Sequence, residues 1–284
     1  MTLTGTRTRL TDVNTGVVTY SGLALTGKAD DYTLTFATEG LTSTTHTVRV
    51  THGAAHSLSL SGATTASNDR TFDSSVVVDI LDIDQNVVTT GSQSTQTVSV
   101  TASGATLSGT SPVTATAGRA TFSNLKLVGE IGTKTLTFKI LSPQEITGTR
   151  NIELGFGAAT RVYLSTSASG IVNDVVFPSQ PVLIVQDSSG NTVTNYASNV
   201  SVTATAVDVS KPATLSGTNS VAPGSGIATF TNLRLKGKIG QFDLTFSSEN
   251  LSTTTQRVTL THGAVAAVVL TGATTAVNLS LIHI

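Results

Sequence analysis

Three stretches decide the fold: "GVVTYSGLALTGKADDYTLTF" at 16–36, "GRATFSNLKLVGEIGTKTLTF" at 118–138 and "GIATFTNLRLKGKIGQFDLTF" at 226–246. Aligned, they read Gly-x-(Ala/Val)-Thr-aromatic, then Leu-x-Leu-x-Gly, then Leu-Thr-Phe. Each piece alternates apolar and polar residues, the period of two that marks a strand with one buried face. Ala120 and Phe122 share one parity, whereas Leu125 and Leu127 have the other. The same slip separates Phe230 from Leu233 and Tyr20 from Leu23. Its recurrence at Ser21-Gly22, Ser123-Asn124 and Thr231-Asn232 predicts a β-bulge and a bend in the strand, since Gly and Asn best tolerate positive φ.

Working outward, "TVRVTHGAAHSLSLSGATTA" at 47–66 recurs as "RVTLTHGAVAAVVLTGATTA" at 257–276, an ungapped offset of 210 residues with 11 of 20 positions identical. "NIELGFGAATRVYLSTSASG" at 151–170 keeps the same alternation and halves that offset, so the period is about 105 residues, the size of one domain. "VVVDILDIDQNVVTT" at 76–90 and "PVLIVQDSSGNTVTN" at 181–195 form another pair, in which a strand runs into an Asp-x-x-x-Asn turn. Ser188-Ser189-Gly190-Asn191 is a hairpin signal of ordinary strength. Strands are expected near 160–165, 181–187, 200–205, 213–216, 227–235, 240–247 and 255–260. Seven short strands without helical periodicity predict an all-β chain of tandem immunoglobulin-like β-sandwich domains in an extended array. The expected units are 1–52, the C-terminal part of a truncated repeat; 53–156 and 157–262, two complete repeats; and 263–278, the first strand of another truncated repeat.

Residues 279–284, "LSLIHI", leave the pattern after Asn278. They are the direct translation of CTG TCT CTT ATA CAC ATC, which resembles the end of a transposase-based sequencing adapter. They are read as adapter read-through, in keeping with a metagenomic fragment, and are set aside as a scar would be.

The 284 residues include 53 Thr and 32 Ser, no Cys and no Trp, and only 12 % are charged. Thr and Val favour strands because their branched Cβ is stiff and packs well on a pleated surface. A net charge of −1 without a basic block argues against nucleic-acid binding. Zero cysteines exclude disulfides, thiol catalysis and cysteine-ligated metals. No apolar run is long enough for a transmembrane helix, and Met1 leads into Thr-rich sequence instead of a signal segment.

The chemistry-bearing residues are sparse. Of the five histidines, His52 and His262 hold the same repeat position, where the intervening unit has Phe156, which reads as a junction residue packing between domains. His46 and His56 stand alone without zinc spacing, and His283 lies in the set-aside tail. Asp79, Asp82 and Asp84 are the densest acidic group. Loop carboxylates of this kind can hold calcium, but turn aspartates also bond their own backbone. The second unit keeps only Asp187 and has Ser189 in place of Asp84, which favours the turn. Arg234, Lys236 and Lys238 make a basic stripe, read as a solvated face that discourages edge pairing. No nucleophile elbow, acid–base pair or phosphate loop is present. No catalytic, cofactor-binding or metal-ligating residue is assigned, and no cofactor is expected.

The string from Pro181 to Leu251 resembles the tandem bacterial Ig-like repeats of invasin-type adhesins and other large repetitive surface proteins. Pro181, Asp187, Gly190-Asn191, Leu215-Ser216-Gly217, Gly226, Ala228-Thr229-Phe230 and Leu244-Thr245-Phe246 carry the likeness. The preceding unit departs from it with Val76 for the proline and Gln85 for the glycine. The resemblance covers essentially residues 1–278 and is specific for fold, weak for function. It implies an extracellular or cell-surface location and a non-catalytic stalk. The partners expected are neighbouring repeats of the same chain, with host or surface ligands met through domains elsewhere. The alternatives are a ligand- or calcium-binding Ig-like module, or an accessory region of an extracellular enzyme or phage fibre protein. The scarcity of aromatics, 5 % overall, weighs against a glycan site, which stacks sugars on exposed rings.

Overall fold

The structure, a computed structural model, describes residues 1–142, 144–265, 267 and 269. Residues 279–284, and most of the strand expected at 263–278, lie outside the described residues. The chain divides into two compact units. One is Met1–Ala158 together with Asp187–Val193; the other is Ala159–Gln186 together with the described residues from Thr194 onward.

In the first unit, residues 57–155 form a β-sandwich. One sheet orders strands Arg119–Phe122, Val76–Leu81 and Ser57–Gly62, all antiparallel. The facing sheet orders Val113–Thr114, Thr97–Ser103, Gly132–Ile140, Ile146–Gly155 and Thr65–Ser67, the last pairing parallel. Period-two alternation sends Val76, Val78 and Ile80 from one sheet against Leu136, Phe138 and Ile140 from the other, all essentially fully buried in a single core. Phe122 and Phe138 meet edge to face with ring centroids 5.2 Å apart, a geometry that adds about 0.5–1.5 kcal/mol to area burial. Arg150 ties the sheets together by donating to the carbonyls of Leu60, Gly62 and Ala63.

Ahead of this sandwich, Thr2–Thr4 pairs with Ala24–Thr26 and Asp30–Phe36 with Thr44–Val50. These are the counterparts of the pairs Thr106–Ser108 with Lys126–Val128 and Gly132–Ile140 with Ile146–Gly155. None of residues 1–52 is buried.

The second unit repeats the sandwich. Its sheets order Arg161–Thr166, Val182–Gln186, Ile227–Thr229, and Ser220–Val221, Val200–Ala206, Gly240–Ser247, Thr254–Leu260. Phe230 and Phe246 take the places of Phe122 and Phe138, with centroids 5.7 Å apart. The fold is therefore all-β and built of immunoglobulin-like sandwiches. No helix among the described residues is long and apolar enough to cross a membrane.

One expectation needs correction. The stretch 227–235 is not a single bulged strand but two strands in different sheets: Ile227–Thr229 pairs with Val182–Gln186, and Arg234–Gly237 with Ala213–Ser216. Arg119–Phe122 and Lys126–Val128 are split in the same way. The parity slip lets the chain cross between sheets while Phe230, Leu233 and Leu235 all stay buried. The bend is sharp: Asn232 has φ 58° and Gly22 φ 73°. It also explains the Leu-x-Gly motif upstream, because a Cβ on Gly217 (φ 102°) would lie 2.1 Å from the Asn232 carbonyl oxygen. A Cβ on Gly5 would lie 2.2 Å from Gly22 O and one on Gly109 2.5 Å from Asn124 O, so only glycine fits.

Candidate functional site

Among the described residues, the densest polar constellation is built on the Asp-x-x-x-Asn turns that follow strands Val76–Leu81 and Val182–Gln186. Both turns, 82–86 and 187–191, belong to the first unit. In each, the aspartate N–H donates to the asparagine carbonyl, at 2.9 Å for Asp82 and 3.0 Å for Asp187. The residue before the asparagine takes positive φ: Gln85 at 65°, Gly190 at 87°. One carboxylate oxygen closes the turn from within. Asp82 Oδ1 accepts from the N–H groups of Asp84 (2.9 Å) and Asn86 (2.8 Å), and Asp187 Oδ1 from Ser189 (3.0 Å) and Asn191 (2.9 Å).

The other oxygen reaches outside the turn. Asp82 Oδ2 accepts from Gly53 N–H at 2.7 Å and Asp187 Oδ2 from Gly157 N–H at 2.9 Å. The asparagine side chain then seals onto a Leu-x-Leu-x-Gly edge. Asn86 Nδ2 donates to Gly27 O (3.1 Å) and its Oδ1 accepts from Ala29 N–H (2.8 Å). Asn191 Nδ2 donates to Gly129 O (2.9 Å) and its Oδ1 accepts from Ile131 N–H (3.0 Å). In both cases the amide also donates to its own aspartate, at 3.0 and 2.9 Å. Asp82, Asn86, Asp187 and Asn191 are all buried, and buried polar groups persist only when satisfied.

The two seals differ at one point. Gly129 N–H donates to Asn68 Oδ1 (2.9 Å), and Asn68 Nδ2 in turn donates to Asp187 Oδ2 and Ser189 Oγ, both at 2.9 Å. Gly27 N–H instead donates directly to Asp84 Oδ2 at 3.2 Å. Asp84 and Ser189 hold the same place in the turn.

Burial pushes the Asp82 carboxyl up, but donors from Gly53, Asn86 and Asp84 outweigh it and hold the group below the ordinary aspartate value. Asp187 follows the same balance, with burial opposed by Asn191, Gly157 and Asn68. A carboxylate whose oxygens already receive N–H donors works as a structural anion. Asp79 is engaged elsewhere, in a bidentate pair with Arg119 at 2.7 and 3.0 Å. Among the described residues no three His, Cys, Asp or Glu side chains gather as a metal site.

The other residues singled out from sequence are dispersed. His52 Nδ1 sits 2.9 Å from Gly53 O and its Nε2 2.8 Å from Thr90 Oγ1. His262 is exposed and meets Gly263 O at 3.3 Å, while His46 and His56 are exposed. Arg234 and Lys236 both face Asp174, at 3.8 and 2.8 Å, and Lys236 holds that carboxyl low. Lys238 is exposed. Asn68, Asn86 and the glycines at 27 and 129 were not identified as site residues from the sequence. Their signal was the spacing, an Asn and a Gly recurring in register with each Asp-x-x-x-Asn turn.

No family model and no curated protein matches the chain. Among solved structures, the chain is similar to the Escherichia coli adhesin FdeC at 14 % identity, covering 76 % of this chain and 68 % of that one with a TM-score of 0.39. It is also similar to the D0-D1 domain of intimin, at 15 % identity, covering 72 % of this chain and 98 % of that one with a TM-score of 0.25. A third similarity is to a Parabacteroides merdae beta-glucuronidase, at 10 % identity and a TM-score of 0.28; the match covers 71 % of this chain but only 24 % of that one.

Proposed function

We propose that the chain is a non-catalytic spacer segment of a bacterial cell-surface adhesin or secreted repetitive protein, made of Ig-like repeats at 53–156 and 157–262 with partial repeats at 1–52 and 263–278. The observation that carries this reading is the seal itself. A network of buried polar groups joins one sequence repeat to the turn of the next, twice, through the same Asp, Asn and glycine contacts, and leaves no carboxylate oxygen of Asp82 or Asp187 idle for proton transfer. Spending buried polar groups on register between repeats is what an array needs if its length is to be set by repeat number. The resemblance to invasin-type repeats supports placing that array at the cell surface.

The test is small-angle scattering on the full chain and on chains carrying one and two inserted copies of residues 53–156. A spacer lengthens by a constant increment per copy of roughly 30 Å or more, the length of a ten-residue strand such as Ile146–Gly155 at about 3.3 Å per residue. A maximum dimension that does not grow with copy number, or glycoside hydrolysis that copurifies with the full chain and is lost on its unfolding, would overturn the reading.

A further inference from the structure

The second unit carries the receiving half of the seal with its turn-facing groups unmet among the described residues. Asn173 holds the place of Asn68: its N–H donates to Thr261 O (3.0 Å), as that of Asn68 does to Gly155 O (2.9 Å). Asp174 N–H donates to Leu235 O and Asp69 N–H to Leu127 O, both at 2.9 Å. Gly237 N–H donates to Asn173 Oδ1 at 2.8 Å, matching Gly129 on Asn68. A Cβ on Gly263 would lie 2.7 Å from Asn173 O, as one on Gly157 would lie 2.3 Å from Asn68 O, so the two backbones are shaped alike.

The difference lies in what meets these groups. In the first unit Gly129 O, Ile131 N–H, Gly157 N–H and Asn68 Nδ2 are all engaged by the turn 187–191, and Asn68 is 2 % exposed. Their counterparts, Gly237 O, Ile239 N–H, Gly263 N–H and Asn173 Nδ2, have no partner among the described residues. Ile239 is 56 % exposed. Two donors, a carbonyl and an amide stand in the arrangement that elsewhere in the same chain seats one particular turn.

We propose that Asn173, Gly237, Ile239 and Gly263 form a preformed docking site for an Asp-x-Ser-x-Asn turn supplied by a further Ig-like repeat of the same kind. The inference rests on the spacer reading and names the partner of its seal. The serine follows from Asn173. Because Asn173 already takes the Gly237 N–H, the third turn residue must accept from Nδ2 and donate to Oδ1 as the Ser189 hydroxyl does with Asn68, at 2.9 and 3.2 Å. An aspartate there, as at Asp84, has no proton to give and would set a carboxylate against Asn173 Oδ1.

The experiment is amide hydrogen exchange on the full chain and on a chain in which a copy of residues 174–262 follows Asn278. In the full chain Ile239 and Gly263 exchange faster than Ile131 and Gly157. In the extended chain they slow by about tenfold or more, as backbone donors do when they gain a stable partner. Asp187→Ala within the appended copy restores fast exchange, and Ser189→Asp there restores it in part. An appended copy that protects its own core while Ile239 and Gly263 still exchange fast overturns the docking site and leaves the spacer reading standing, with flexible joints. If that copy does not fold, a copy of residues 69–158 carrying Asp84→Ser replaces it. Failure of both to fold beside an intact second unit also overturns the proposal, since the same turns fold against Gly27 and Gly129.

Discussion

Residues 1–52 and 105–156 carry the same strand pairs, yet only the second set is buried. Tyr20 and Phe36 meet at 5.3 Å as Phe122 and Phe138 do at 5.2 Å, but the first pair is half-buried and the second essentially inaccessible. The hairpins are equivalent; the facing sheet is not. Val76–Leu81 covers Phe138 from the facing sheet and Thr97–Ser103 pairs beside it in its own, while no strand among residues 1–52 plays either part. Alternation writes which face of a hairpin is apolar, and burial comes only when a second sheet covers it. What engages the 1–52 edge instead is the turn 82–86, through Gly27, Ala29 and the Lys28 side chain, whose Nζ donates to Gln85 O at 3.0 Å.

The largest expected contrast is in the cores. Phe138→Ala should destabilise its sandwich by about 3–5 kcal/mol, whereas Phe36→Ala should cost less, about 1–3 kcal/mol, since Phe36 is only partly withdrawn from water. Urea unfolding of both variants checks this, and equal losses would break the comparison. Next come the seals. Asp187→Ala leaves Gly157 N–H and the Asn68 amide short of a buried acceptor and should cost about 2–3 kcal/mol. Asn86→Ala should cost less, about 1–2 kcal/mol. It should raise amide exchange across 24–50 while strands Gly132–Ile140 and Ile146–Gly155 stay protected, because those also have a core.

Acid should act on the same contacts with a definite sign. Asp82 and Asp187 have folded values below that of a free aspartate, near 3.9. Their stabilisation is full above that value and is lost as pH falls from there through the folded values. The urea midpoint should therefore drop on acidification below about pH 4. Asp187→Asn should start lower and show a shallower pH dependence; an unchanged slope would remove Asp187 from the seal. The smallest effect is at the turn. Gln85→Gly relieves a non-glycine residue at φ 65° and should stabilise by about 1 kcal/mol or less, after the entropy glycine loses on folding. Gly190→Gln should cost a similar amount, and thermal unfolding reads both.

Most strands were legible because period-two alternation is a local signal and three copies could be compared. Strands Val200–Ala206, Ala213–Ser216 and Gly240–Ser247 fall within a residue or so of the expected ranges. The stretch at 227–235 misled because a parity slip is compatible with a bulge inside one strand or a crossing between two, and only the pairing partners distinguish them. Asp82 and Asp187 stood out as turn residues. Their longer reach to Gly53 and Gly157, and that of Asn86 and Asn191 to glycines about 60 positions away, is invisible in a linear pattern.

The amino-acid sequence by itself determined the all-β class, the period of about 105 residues and the faces of the strands, because these follow from side-chain alternation and turn chemistry along a single stretch. Only the tertiary structure decided which strand lies in which sheet, which aromatic pair is dry and what the paired Asp and Asn hold. The physical reason is that burial and hydrogen-bond satisfaction are properties of groups distant in the chain, fixed when backbone donors such as Gly157 and Ile131 find their acceptors in space.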